Sequence, residues 1–108
     1  MTKRNSALYL KDILGAVEKI EGYTKGVSFE EFCSNEMAQD AVIRNFEIIG
    51  EAAKQVPGQI KSLYKDVPWK EMAGMRDKVI HEYFGVDLDI VWKTIKRLPD
   101  LKKLLKNI

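Results

Sequence analysis

The chain holds one histidine, His81, and it stands among residues that could act with it. Arg76 precedes it by five residues and Asp77 by four, and Tyr83 follows by two. An imidazole has an unperturbed pKa of ~6.5, so it can hold or release a proton near neutral pH. On a helix each residue turns by ~100°, which makes Asp77 and His81 neighbours at i, i+4. Arg76 and Tyr83 share the adjacent row, and a long arginine reaches over the same patch. The patch combines a cation, a titratable imidazole, a carboxylate beside it and a phenol.

Such a set suits cleavage of an RNA backbone without a metal. The histidine can take the 2′-hydroxyl proton or give one to the leaving 5′-oxygen. Arginine's planar donors match a phosphate and stabilise charge growing on its oxygens. Asp77 can hold the imidazole in one tautomer and, when ionised, raise its pKa. One histidine supplies one of the two proton-transfer roles. The chemistry therefore asks for a symmetric homodimer, which brings a second histidine. Spacing alone equally allows a plain Asp77–His81 helix pair without catalysis.

The pattern that must position these residues is helical nearly throughout. Tyr9, Ile13, Ala16/Val17 and Ile20 recur at spacings of three and four. Asn5 or Ser6 can cap that segment, and Gly22 and Gly26 bracket its end. In "SFEEF", Ser28 and Glu31 form a capping box opening a short helix that ends near Ser34–Asn35. From Glu36 to Val56, residues Ala38, Ala41, Val42, Ile49, Ala52, Ala53 and Val56 form one apolar stripe. Asn45 sits inside it, where an amide must be hydrogen-bonded or cost free energy. It can fix a register across an interface or reach into a polar site. Beside the stripe, Asp40, Arg44, Glu47 and Glu51 line a polar row, with Arg44 and Glu47 paired at i, i+3.

Pro57-Gly58 ends this helix, and "QIKSLYKD" allows one further short turn. Pro68 suits the first turn of the next helix, which carries the motif and stops at Gly85. Asp87 can cap a last helix with Leu88, Val91, Trp92, Ile95 and Leu98 on one face; Pro99 either kinks it or starts another. The expectation is an all-α, compact helical bundle of about five helices, a single domain over residues 1–108.

Composition narrows the function classes. The chain is 45% hydrophobic and 31% charged, the balance of a globular protein rather than a disordered one. Cys33 is the only cysteine, so no intrachain disulfide forms and one Cys with one His makes no metal cluster. No segment approaches the ~20 apolar residues of a membrane span, and the start, "MTKRNSALYLKD", does not read as a signal peptide. A cytoplasmic protein is expected, with no metal and no cofactor. Net charge is +2, yet from Lys93 onward six cations face only Asp100. That end is either a solvated helix face or a surface for phosphate or an acidic partner.

Arg76-Asp77-Lys78-Val79-Ile80-His81-Glu82-Tyr83 reads R-x4-H-x-Y. With "AVIRNFEIIGEAAKQVP", "VPWKEMAGMRDKVIHEYFGVD" and "LDIVWKTI", it resembles the HepT-like toxins of the HEPN superfamily across essentially the whole chain. The resemblance implies a homodimeric helical bundle and a metal-independent endoribonuclease with Arg76 and His81 as the catalytic pair. It implies the toxin half of a type VII HEPN/MNT toxin–antitoxin system. The partner would be an MNT-type nucleotidyltransferase antitoxin that transfers AMP to Tyr83. A bulky anion there would occupy the phosphate site and repel RNA. Arg44, Asn45 and Glu47 match the family helix that faces the motif, and with Asp77 they are expected to support the site. The RNA substrate could be messenger or transfer RNA. The rival reading is a non-catalytic dimerisation module that docks a nucleotidyltransferase or a nucleotide.

Overall fold

The structure, a computed structural model, describes residues 6–75, 77 and 87–108. Arg76, His81 and Tyr83, the expected helix end at Gly85 and the expected cap at Asn5 lie outside the described residues. Six helices and no strand are present among the described residues, in line with the all-α expectation. The radius of gyration is 14.1 Å, close to the ~13 Å of a compact domain this long.

Helix α1 (Ser6–Thr24) buries Ile13, Ala16, Val17 and Ile20, the face its spacing marks out. It ends in a turn at Gly26, whose φ of 72° would cost a residue with a Cβ about 1–2 kcal/mol. Helix α2 (Phe29–Cys33) opens with both halves of the expected capping box. The Glu31 N–H donates to Ser28 Oγ and the Ser28 N–H donates to Glu31 Oε1, each at 3.1 Å. The backbone bond from Ser28, then the contact with its side chain, hold the Glu31 carboxyl below the usual carboxylate range. Phe32 drives this short helix into the core.

Helix α3 (Glu36–Gln55) is capped by Asn35, whose side chain accepts from the Ala38 N–H at 3.0 Å. Val42, Phe46, Ile49, Ala52 and Ala53 are buried, and most of the packing of α3 is against α1. Tyr9 and Asp12 at the start of α1 lie beside Glu51 and Gln55 at the end of α3, so the two run antiparallel. Helix α4 (Gly58–Leu63) is the short turn expected after Pro57; none of its residues is fully buried, and Ile60 packs half-buried against the core.

Helix α5 (Trp69–Ala73) departs from expectation. The helix expected from Pro68 through the motif is interrupted at Gly74. The Gly74 N–H donates to the carbonyls of Lys70 and Met72, and glycine costs about 1 kcal/mol relative to alanine inside a helix. Helical backbone returns at Met75 and Asp77. Trp69 anchors α5 by donating its Nε1–H to the Tyr64 carbonyl at 3.0 Å.

Helix α6 (Leu88–Lys106) starts as expected at Asp87, whose carboxylate accepts from the Asp89 and Ile90 N–H groups at 3.0 and 3.3 Å. It runs unbroken past Pro99, so no separate helix begins there. An interior proline costs about 3 kcal/mol. Burial of Val91, Ile95, Leu98, Leu101 and Leu105, at about 1.5–3 kcal/mol for each full-sized side chain, outweighs it.

Candidate active site

The motif is bounded covalently by described residues. Arg76 is bonded to Met75 and to Asp77, each ~3.8 Å away between Cα atoms. Met75 is half-buried and Asp77 exposed, so the chain enters the motif at the surface. It leaves the motif into Asp87, the cap of α6. His81 stands six residues before Asp87, within ~22 Å of it by chain length alone.

Met75 also lines a cleft of about 300 Å³ between α5 and α6. Its floor is apolar, with Met72, Leu98, Leu101 and Leu104. Its rim is acidic, with Asp66, Glu71 and Asp100, and holds one cation, Arg97, that reaches Glu71 at 3.2 Å.

The supporting residues on α3 divide into two kinds. Arg44 and Glu47 form the expected pair, Nη1 to Oε2 at 3.5 Å, at side-chain exposures of 70% and 30%. Asn45, one residue on from Arg44, is 5% exposed. Its Nδ2 donates to the Ala41 carbonyl at 2.8 Å, one turn back on its own helix. The structure therefore brings Arg44 and Glu47 together and turns Asn45 inward.

Arg44 and Glu47 border an open groove of about 430 Å³ with Glu51, Gln55 and the α1 residues Tyr9 and Asp12. The contribution of α1 was not foreseen, since Tyr9 reads as part of an apolar stripe. Only the antiparallel packing of α1 on α3 reveals it. Among the described residues its lining holds three carboxylates, Asp12, Glu47 and Glu51, and one guanidinium, Arg44.

No three of His, Cys, Asp and Glu gather as a metal site among the described residues. No helix among them is long and apolar enough to cross a membrane.

Comparison with known proteins gives the family. The family described as "Ribonuclease HepT-like" matches residues 13–108, and the chain belongs to it. The chain is 52% identical over 101 residues to the Thermococcus cleftensis protein named "Probable ribonuclease HepT", covering 93% of this chain and 92% of that one. A Methanocaldococcus jannaschii relative is 47% identical over 109 residues, with 100% and 94% covered. One from Caldanaerobacter subterraneus subsp. tengcongensis is 48% identical over 101 residues, with 93% and 90% covered. The last two carry names that assign them as candidate RNases. No solved structure gives a significant match.

Proposed function

We propose that the chain is a metal-independent endoribonuclease and the toxin half of a HEPN/MNT toxin–antitoxin pair. The observation that carries this reading is the intact R-x4-H-x-Y run inside a chain of the HepT-like ribonuclease family. The whole chain, residues 1–108, acts as one domain and works as a homodimer. Each protomer brings one Arg76 and one His81, so the pair of chains holds two imidazoles.

His81 takes the proton of the 2′-hydroxyl as the oxygen attacks the adjacent phosphorus. The new bond is 2′-oxygen to phosphorus, and the bond that breaks joins phosphorus to the 5′-oxygen. The leaving oxygen collects a proton from an imidazolium. Arg76 binds the phosphate and meets the charge that grows on its oxygens. Asp77, exposed and four residues before His81, orients the ring. Arg44, Asn45 and Glu47 support the site from α3. A nucleotidyltransferase partner silences it by placing AMP on the Tyr83 oxygen, where the added anion excludes RNA.

The test uses protein made without a partner and shown by intact mass to be unmodified at Tyr83. It is incubated with total RNA in EDTA beside His81→Ala and Arg76→Ala. Wild type is expected to leave 2′,3′-cyclic phosphate ends, and each variant to lose about 10²-fold or more in rate. Cleavage by His81→Ala at the wild-type rate sinks the mechanism. A folded dimer that cleaves nothing is instead a binding module for a nucleotidyltransferase or a nucleotide.

A further inference from the structure

The outer face of α6 carries cations that the rest of the fold leaves unmatched. Two of the six positive residues after Leu88 are engaged by other elements. Arg97 reaches Glu71 at 3.2 Å and Lys102 reaches Glu21 at 3.0 Å. Lys93, Lys96, Lys103 and Lys106 are exposed, and among the described residues none of them meets a carboxylate in an ion pair. Trp92, Lys96, Lys103 and Lys106 follow one another at i, i+4, i+11 and i+14, a single line of ~20 Å along the helix. Lys93 flanks its start. Asp89 and Asp100 border the line and leave it an excess of positive charge.

An aromatic platform sits at the head of this line. Trp92 is half-buried, and its ring centroid lies 5.8 Å from that of Phe29 and 5.3 Å from that of Phe32. The two phenyl rings on α2 hold the indole in place. The Lys96 ammonium lies 4.8 Å from the Trp92 ring centre, a mobile cation over an aromatic ring.

We propose that this line is a track for single-stranded RNA, and the proposal rests on the ribonuclease reading above. Lys93, Lys96, Lys103 and Lys106 take phosphates, and Trp92 offers its indole to a base when Lys96 swings from the ring to the strand. A flat base attached to a phosphate is the repeating unit of RNA, and a ring set among cations matches both parts. An acidic protein surface would use the lysines but not the ring. The track's head is close to the motif along the chain, with Trp92 eleven residues after His81.

The test measures binding of a fluorescein-labelled, mixed-sequence RNA of about 12 nucleotides, 2′-O-methylated so that it cannot be cleaved, between ~50 and ~200 mM salt. The triple variant Lys93→Gln, Lys96→Gln, Lys103→Gln is compared with Lys11→Gln, Lys19→Gln, Lys54→Gln. The second set removes the same net charge from exposed sites elsewhere. Loss of three phosphate contacts should lower the slope of log affinity against log salt by about 2, and weaken binding at ~50 mM at least ~10-fold. The control set should change affinity less than about twofold. Trp92→Leu should weaken binding roughly fivefold with the salt slope kept, and Trp92→Phe should restore most of it.

Equal losses in the two triple variants overturn the track. So does a folded wild type that binds polyglutamate but not RNA, which would make the face a dock for an acidic protein. Cleavage of total RNA is scored separately. Binding through these lysines without cleavage removes the ribonuclease reading and keeps the track. Cleavage with RNA binding unchanged in the α6 variant removes the track alone.

Discussion

Helices α3 and α6 are 20 and 19 residues long, and each buries one apolar face, yet they handle charge in opposite ways. On α3 one ion pair is local. Arg44 pairs with Glu47 one turn away, and the polar residue that does enter the core, Asn45, bonds a carbonyl of the same helix. On α6 the bonded cations reach other elements, Glu71 beyond α3 and Glu21 on α1, and the remaining four point outward. The Arg44–Glu47 pair needs no partner outside the helix. The open cations of α6 have lost little hydration and are ready to exchange it for phosphate. In both helices the apolar face holds the element in place, since an exposed i, i+3 pair contributes only about 0.3–0.5 kcal/mol.

That contrast can be broken at three strengths. The largest expected effect is in the apolar face of α6. Leu98 is 1% exposed, and Leu98→Ala should cost about 2–5 kcal/mol in urea unfolding of the whole domain. A loss below about 1 kcal/mol would mean that α6 is held by its ion pairs instead. Next comes Asn45→Ala, which removes the bond to the Ala41 carbonyl and should cost about 1 kcal/mol. A cost as large as that of Leu98→Ala would show that Asn45 serves more than its own helix. The smallest effect is expected from a double-mutant cycle on Arg44 and Glu47. Its coupling should stay below about 0.5 kcal/mol and vanish near ~1 M salt. A coupling above about 1 kcal/mol would sharpen the picture by making that pair part of a larger network.

Local signals proved easy to read, and long-range ones did not. Ser28 with Glu31, Asp87 at the head of α6 and Gly26 after α1 each act within a few residues, so type and spacing revealed them. The α3 stripe was largely legible because one helical period governs it, although Phe46, fully buried on that helix, was missed and Ala38 and Ala41 are only half-buried. The same period ran through Gly74 without a signal, since a single glycine in a helical pattern is tolerated as often as it breaks one. Whether it breaks depends on how Trp69 and Met72 are buried, which is a matter of packing. The groove that joins Tyr9 and Asp12 to Arg44 and Glu47 was hidden for a related reason. No spacing rule links residues more than thirty positions apart. The ring contacts between Trp92 and α2 were likewise invisible, because Trp92 alone reads as packing. The R-x4-H-x-Y run is a different case: Arg76, His81 and Tyr83 lie outside the described residues, and spacing alone allows a plain helix pair as well as a catalytic one, so its chemistry stands as a proposal.

Pro99 gives α6 a divided character. Having no N–H, it cannot donate to the Ile95 carbonyl, so one rung of the backbone ladder is missing near the helix middle. The stretches on either side are each too short to persist alone in water. Their common axis comes from Leu98 and Leu101, which lock into the same core on both sides of the gap. α6 is therefore one helix by tertiary agreement rather than by its own hydrogen bonding.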